Sequence, residues 1–279
     1  MKHLVRFALV AALATPALAA DTVITTSKHT DAMQMMGQEI PAKDSTEVTW
    51  LAKDKLRIEE GDKVTIIRGD QKKMYIIHPK DKTFSAVDLP FDLKKALPPE
   101  MAPMIEQMMG QMKFTVTPTT ETKKVKDWNT TKYTMTMSGG MFTMTQTMWV
   151  TKDIKMDCAA FKDLYGSVLS MMPGGASMVS EMQKLDGFPV LVEQSTSVMG
   201  SETKGKEEVT SVESKDAPEG NYDVPKDFKE QPFDWMSDNP SGGMGGGPGG
   251  GGRGRGAGHG GPGRPPADKP KPVPVPEPK

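Results

Sequence analysis

The sequence has a single cysteine, only four histidines and no excess of charge of either sign. Its 279 residues include 35 Lys and Arg against 36 Asp and Glu, so the net charge is -1. One cysteine, Cys158, excludes an intrachain disulfide, and four histidines add too few ligands for a typical structural zinc site. Without a basic field, nucleic-acid binding by the folded body is disfavoured. With no disulfide and no structural zinc site expected, the fold must rest on side-chain packing.

The start of the chain has the pattern of a secretory signal peptide. Lys2 and Arg6 accompany an apolar run over 7–13, and small residues follow up to Ala20. The pattern predicts cleavage after Ala19 or Ala20 and export to the periplasm or out of the cell. The run is shorter than the ~20 residues that a membrane span needs, and no later segment is apolar enough. We therefore expect a protein that does not span the membrane.

The composition changes sharply near Ser237. From there to Lys279 the chain is Gly-rich and then Pro-rich, with six basic and three acidic side chains. Such a segment buries too little apolar surface to offset the entropy of ordering. The sequence thus predicts a signal peptide (1–20), one folded domain (21–236) and a disordered tail (237–279).

Alternation of apolar and polar residues predicts a mainly β (α+β) fold for this domain. Turn pairs such as Gly61-Asp62 and Gly69-Asp70 separate short runs of strand character. Short strands with tight turns indicate an antiparallel meander rather than βαβ units. The predicted strands cover residues 48–52, 55–58, 64–67, 74–77, 83–87, 114–116, 133–137, 142–150, 190–192 and 209–212.

Helical spacing replaces this alternation in the middle of the domain. Apolar residues recur at helical spacing over 100–112 and 159–172. A Pro-Gly-Gly sequence at 173–175 should end the second helix, and a short third helix is predicted over 177–185. We therefore expect a large antiparallel sheet with two or three inserted amphipathic helices.

Methionine is unusually frequent, with 23 copies. On the predicted strands 133–137 and 142–150, Met and aromatic residues share one face and Thr dominates the other. Two interpretations of this face stay open: an ordinary core in which Met fills gaps, and an adaptable surface for a lipid or acyl chain. The predicted cavity residues are Tyr133, Met135, Met137, Phe142, Met144 and Met148, covered by the helical Met104, Ile105 and Met108.

A third interpretation of the methionines is Cu(I) binding, because thioethers are soft ligands. The best candidate cluster is His29 with Met33, Met35 and Met36. A copper site usually presents Met and His in an exposed, mobile loop, whereas most Met here follow amphipathic patterns. We therefore expect no metal site and keep this cluster as the weaker alternative.

Common catalytic motifs are missing from the folded domain. It contains no G-x-S-x-G, no H-E-x-x-H, no phosphate-binding loop and no dinucleotide-binding fingerprint. Its acidic residues are scattered at turns and suggest no carboxylate pair. We therefore expect a protein that is not an enzyme and has no cofactor.

Several short motifs, in their order, resemble a family of exported bacterial domains of unknown function. This family is similar to the outer-membrane lipoprotein carriers, which have the LolA-like fold. The resemblance spans about 22–230. The motifs are WLAKDKLRIE (50–59), IIRGD (66–70), KMYII (73–77), DKTF (81–84), WVT (149–151), GFPV (187–190) and YDVP (222–225).

The resemblance implies a curved, incomplete antiparallel β-barrel, a half-barrel, with helices over its open face. Carriers of this fold hold acyl chains in that cavity, although fold alone does not fix function. We therefore expect a monomeric envelope protein that binds a lipid or a lipoprotein acyl chain in a Met-lined cavity. The alternatives are a structural or interaction protein whose core is filled by its own Met side chains, and a Met-rich copper binder.

Overall fold

The protein is seen in a computed structural model that describes residues 20–35, 38–90, 103, 107, 110–140, 142–169, 175–198, 200–234 and 238. Two helices, α1 (Cys158–Leu169) and α2 (Gly175–Met182), lie between the eleventh and twelfth strands. The strands are β1 (Asp21–Thr30), β2 (Met33–Met35), β3 (Gln38–Ile40), β4 (Lys43–Ala52), β5 (Lys55–Glu60), β6 (Lys63–Arg68), β7 (Lys73–His78), β8 (Thr83–Asp88), β9 (Lys113–Val125), β10 (Trp128–Gly139), β11 (Phe142–Thr151), β12 (Phe188–Val198), β13 (Ser201–Lys215) and β14 (Lys229–Glu230).

Twelve strands form one large curved sheet in the order β14-β8-β7-β6-β5-β4-β1-β13-β12-β11-β10-β9. β1 is central because it pairs with β4 on one side and with β13 on the other. The N-terminal wing (β4–β8) and the C-terminal wing (β9–β13) are meanders on either side of it. In the part of the chain that the structure describes, every pairing is antiparallel except that of β14 with β8. Within the described residues β9 and β14 do not pair, so the barrel is open, and the predicted mainly β sheet with few helices is confirmed.

The N-terminal wing is buried on both faces. One face packs against Leu164 of α1, and the other against Tyr222 from the segment that follows β13. Leu56, Ile66 and Ile76 have no exposed surface. The strand residues of the first face are Leu51, Leu56, Ile67, Met74, Ile76 and Val87, and those of the second are Val23, Trp50, Val64, Ile66 and Ile77.

The segment after β13 is held on this wing by polar contacts. Arg68 of β6 donates to the Tyr222 carbonyl oxygen at 3.2 Å and to Asp223 Oδ1 at 2.6 Å. The Tyr222 hydroxyl donates to Asp21 Oδ2 at 2.7 Å, which links the segment to the first residue of β1. The YDVP motif therefore covers one face of the N-terminal wing.

Two of the three predicted helices lie within the described residues. α1 begins one residue before the predicted start, after Asp157, whose Oδ1 accepts from the Ala160 amide at 2.9 Å as a helix cap. α2 begins at Gly175, two residues before the predicted third helix. Most of the first predicted helix (100–112), and residues 170–174, lie outside the described residues.

The described part of the chain reaches past the predicted domain boundary at 236. Asp238 is fully buried, and it accepts from Ser85 Oγ at 2.7 Å and lies 2.8 Å from His78 Nε2. Packing of the domain therefore extends at least to this residue. The predicted signal peptide, apart from Ala20, and the predicted tail, apart from Asp238, lie outside the described residues.

Candidate functional site

The Met-rich face predicted on β10 and β11 lies on one side of the sheet. Tyr133 is opposite Met148 and Met137 is opposite Met144 in the strand register. Four of the predicted residues are only 3–7% exposed, and Met137 and Phe142 are half-buried. We call the resulting group the Met cluster; it consists of Val116, Tyr133, Met135, Met144, Met148, Val150 and Leu185, with Phe114, Met137, Phe142, Met182 and Val192 at its margin.

Among the described residues, α2 and the turn after it cover the Met cluster. Met182 and Leu185 pack on the cluster, and Glu181 accepts from the Val116 amide of β9 at 2.7 Å. The hydrogen bond from Lys184 lowers the pKa of Glu181 most, and the bond from the Val116 amide lowers it further. The Glu181 carboxylate therefore stays ionised. The predicted cover by Met104, Ile105 and Met108 lies outside the described residues and stays a prediction.

A groove of about 280 Å³ lies between α1 and α2. Met182 lines this groove and also belongs to the Met cluster. The groove and the cluster therefore share a wall. The apolar lining consists of Phe161, Tyr165, Leu169, Val179 and Met182, and Lys162, Asp163 and Gln183 add polar groups.

A group of buried charges lies where β1 meets β4 and β13. Lys28 Nζ is 2.6 Å from Glu47 Oε2 and 3.2 Å from Glu60 Oε2, and its side chain is only 10% exposed. Glu207 is the cross-strand neighbour of Lys28 on β13. We call these four residues the Lys28 cluster.

The Lys28 cluster shifts the pKa of two of its members. Burial raises the pKa of Glu207 to about 7; Lys28 opposes this shift, and Glu47 and Glu60 add to it. Burial lowers the pKa of Lys28, but the three carboxylates outweigh burial and raise it overall. Lys28 therefore stays charged while Glu207 titrates near neutrality.

A buried glutamine pair continues the Met-bearing face toward β13. Gln146 lies between Met144 and Met148 in the alternation, and its Nε2 donates to Gln194 Oε1 at 3.1 Å. Gln194 is opposite Gly205 on β13, where a Cβ would come within 2.8 Å of Gln194 Nε2. The glycine therefore leaves room for a polar pair beside the Met cluster.

The imidazole of His29, in the candidate copper cluster, lies between two carboxylates. Its Nδ1 is 2.7 Å from Asp44 Oδ1, and its Nε2 is 3.0 Å from Asp31 Oδ1. Met33 is buried in β2, while Met36 and the side chain of Met35 lie outside the described residues. In that part of the chain, no three His, Cys, Asp or Glu residues are arranged to hold a metal ion.

Sequence patterns did not reveal the Lys28 cluster, because a lysine in a Thr-rich stretch is normally solvent-exposed. One feature of the sequence could have revealed the glutamine pair. Gln146 takes the place of a methionine in the alternation Met144, Gln146, Met148, and such a polar residue on an apolar face indicates a buried partner.

No helix in the part of the chain that the structure describes is long and apolar enough to cross a membrane. Fold and site together define a mainly β protein with an open, curved sheet, whose helix-covered face combines an apolar cluster with buried charges.

The chain belongs to the DUF4412 family, a domain of unknown function whose family model matches residues 30–228. No curated protein sequence matches it. Among solved structures, it is similar to one of PNGF-II, with a TM-score of 0.38 and 14% identity over 77% of this chain and 31% of that one. The chain therefore spans less than a third of the length of that neighbour.

Proposed function

We propose that this protein is an exported envelope protein with a LolA-like half-barrel that binds a lipid or a lipoprotein acyl chain. The observation that carries this proposal is the position of Met182 in both the α1–α2 groove and the Met cluster. An acyl chain entering the groove would meet Met182, whose unbranched, polarizable side chain can rearrange around it. The signal-peptide pattern and the order of carrier-like motifs support the same function.

The size and lining of the groove suit one acyl chain. Its volume of about 280 Å³ is close to the lower end of ligand sites, which begin near ~300 Å³. Each methylene taken from water contributes about 0.8 kcal/mol. A chain longer than the groove would have to displace Met182 and extend over the Met cluster, where side-chain flexibility keeps the cost of repacking small.

Titration with a fluorescent fatty acid, 11-(dansylamino)undecanoic acid, tests the proposal. We expect saturable binding at one site in the native protein. Val179→Trp should fill the groove and weaken binding at least about tenfold, which is about 1.4 kcal/mol. Ser180→Trp is the matched control, because Ser180 is the exposed next residue of α2 and does not line the groove. Melting temperatures of both variants check that they are folded.

A structural or interaction protein with a self-filled core is the second candidate. The 3–5% exposure of Met135, Met144 and Met148 favours it, because side chains buried to this degree leave little space for a ligand. Absence of saturable binding, or an equal effect of the two Trp substitutions, would contradict ligand binding in the groove and leave this candidate.

A further inference from the structure

One cross-strand row joins the Met cluster to the Lys28 cluster. Met148 of β11 is opposite Val192 of β12, and Val192 is opposite Glu207 of β13. Glu207 is in turn opposite Lys28 of β1. Directly opposed residues in a sheet are separated by only about 5 Å. A charge on Glu207 therefore lies two strands from the apolar site.

The groups around Glu207 come from every neighbouring element. β1 contributes Lys28, β4 contributes Glu47 and β5 contributes Glu60, while the β12 neighbour, Val192, is uncharged. Lys63 of β6 lies opposite Glu60, at the margin of the group. When all three carboxylates are ionised, they outnumber the ammonium group of Lys28 in a site that is largely closed to water.

Tyr165 of α1 packs on the apolar cluster that contains Leu51 of β4 and Leu56 of β5, the strands that also carry Glu47 and Glu60. Burial raises the pKa of the Tyr165 hydroxyl, and Glu47, Glu207 and Glu60 raise it further, so the hydroxyl stays neutral in the field of these carboxylates. Tyr165 also lines the α1–α2 groove. The same side chain therefore contacts the groove and experiences the field of the Lys28 cluster.

We propose that the Lys28 cluster is a pH-sensitive switch that sets how closely α1 lies on the sheet and how readily an apolar ligand enters the groove. With Glu207 protonated, Lys28 faces the carboxylates of Glu47 and Glu60, and these three side chains carry a net charge of -1. Ionisation of Glu207 adds a third negative charge, which favours entry of water and loosens the contact at Tyr165. The effect on ligand entry rests on the proposed function, whereas the movement of α1 does not.

Amide hydrogen exchange of the full chain between pH 5.5 and 8.5, corrected for intrinsic exchange, tests the switch. Protection of α1 should fall about tenfold as the pH rises, with a midpoint near 7 set by the pKa of Glu207, while protection of α2 should change little. Glu207→Gln should hold α1 protected across the range. Glu208→Gln is the matched control, because Glu208 is the next residue and pairs with Lys206 at 2.7 Å, and it should behave like the native protein.

A flat exchange profile of α1 in the native protein overturns the switch, as does a Glu207→Gln variant that keeps the pH dependence. The native profile decides the question even if Glu207→Gln fails to fold. Titrating the dansyl fatty acid at both pH values separates the two proposals. Binding that strengthens at least threefold at high pH supports control of ligand entry, and equal binding contradicts it. Absence of binding at both values rejects the proposed function, while the exchange profile still decides the switch.

Discussion

The two wings of the sheet bury different kinds of side chain. The N-terminal wing is buried on both faces and is rich in Ile, Val and Leu, with α1 on one side and the segment after β13 on the other. The C-terminal wing buries a face rich in Met; its other face is Thr-rich near the β10–β11 turn, and Trp149 and Leu191 are buried farther along the strands. Branched side chains have few rotamers and define one packing, whereas Met adapts to its surroundings. The comparison indicates a rigid frame in one wing and a deformable surface in the other.

The solvent face of the C-terminal wing shows how that wing keeps its shape. Thr134 lies opposite Thr147 and Thr136 opposite Thr145, and such cross-strand pairs contribute about 0.2–1 kcal/mol each. The edge strand β9 carries Pro118, at a register shift against β10. Proline and irregular pairing on an edge strand discourage association with another strand. Backbone pairing, the Thr rows and the buried packing around Trp149 and Leu191 therefore hold the wing, which leaves its Met face free to adapt.

Truncation of one core side chain in each wing gives the largest expected difference. Leu56→Ala should cost about 3–5 kcal/mol in free energy of unfolding, because Leu56 is completely buried between branched neighbours that cannot fill the cavity. Met144→Ala should cost about 2 kcal/mol, because neighbouring Met side chains can move into the space. Urea denaturation measures both values.

Thr145→Ala serves as the control for this pair, because Thr145 is exposed on β11 beside Met144. It should change the free energy of unfolding by no more than about 1 kcal/mol. Equal losses for Leu56→Ala and Met144→Ala would contradict the distinction between a rigid and a deformable wing.

Much of this contrast could be predicted from the sequence. Alternation marked the strands around Ile66, Ile76 and Met144, and the pair Gly61-Asp62 marked the β5–β6 turn, where Gly61 adopts a φ of +58°. The Met and Thr faces followed from the same alternation, since period two fixes which residues share a face. The helix spacing around Leu164 placed α1 within one residue of its start.

The centre of the sheet could not be predicted in this way. β1, the strand that joins both wings, was not predicted, because its sequence DTVITTSKHT is largely polar. Its Lys28 is buried only because carboxylates from β4, β5 and β13 surround it, and such partners, up to 179 residues away in the chain, leave no local pattern. The contact of Asp238 with Ser85 and His78 is equally remote in sequence. Lys28 and Asp238 are each buried because polar partners far away in sequence pair with them, and a local sequence pattern cannot show such pairs.

The pH dependence of stability gives the second-largest effect. The pKa of Glu207 is about 7 in the folded protein and near ~4.3 in an unfolded chain. Between these values the folded state binds more protons, so stability falls as the pH rises from about 4.5 to about 7 and then levels off. Glu207→Gln should remove this fall and make the protein about 2–3 kcal/mol more stable than the native protein at pH 8. Urea denaturation at pH 5, 6, 7 and 8 measures it.

Glu208→Gln again provides the comparison. The hydrogen bond from Lys206 lowers the pKa of Glu208; burial opposes this shift, and the charge of Lys126 adds to it. The contribution of Glu208 to stability is therefore lost only as the pH falls into the acidic range. This variant should therefore keep the decline between about pH 4.5 and 7. The assignment to Glu207 fails if both Gln variants show the same profile as the native protein.

Truncation of the C-terminal end should give the smallest effect and locate the edge of the N-terminal wing. A chain that ends at Asp238 keeps the buried carboxylate that accepts from Ser85. Its free energy of unfolding should lie within about 0.5 kcal/mol of the full chain, because the Gly- and Pro-rich residues beyond it have no apolar periodicity. A chain that ends at Met236 loses Asp238 and leaves Ser85 and His78 without this partner, which should cost about 1–3 kcal/mol. Thermal unfolding of both chains measures the difference. If the shorter chain is as stable as the longer one, Asp238 does not tie the C-terminal segment to this wing, and the domain ends at 236 as its composition predicts.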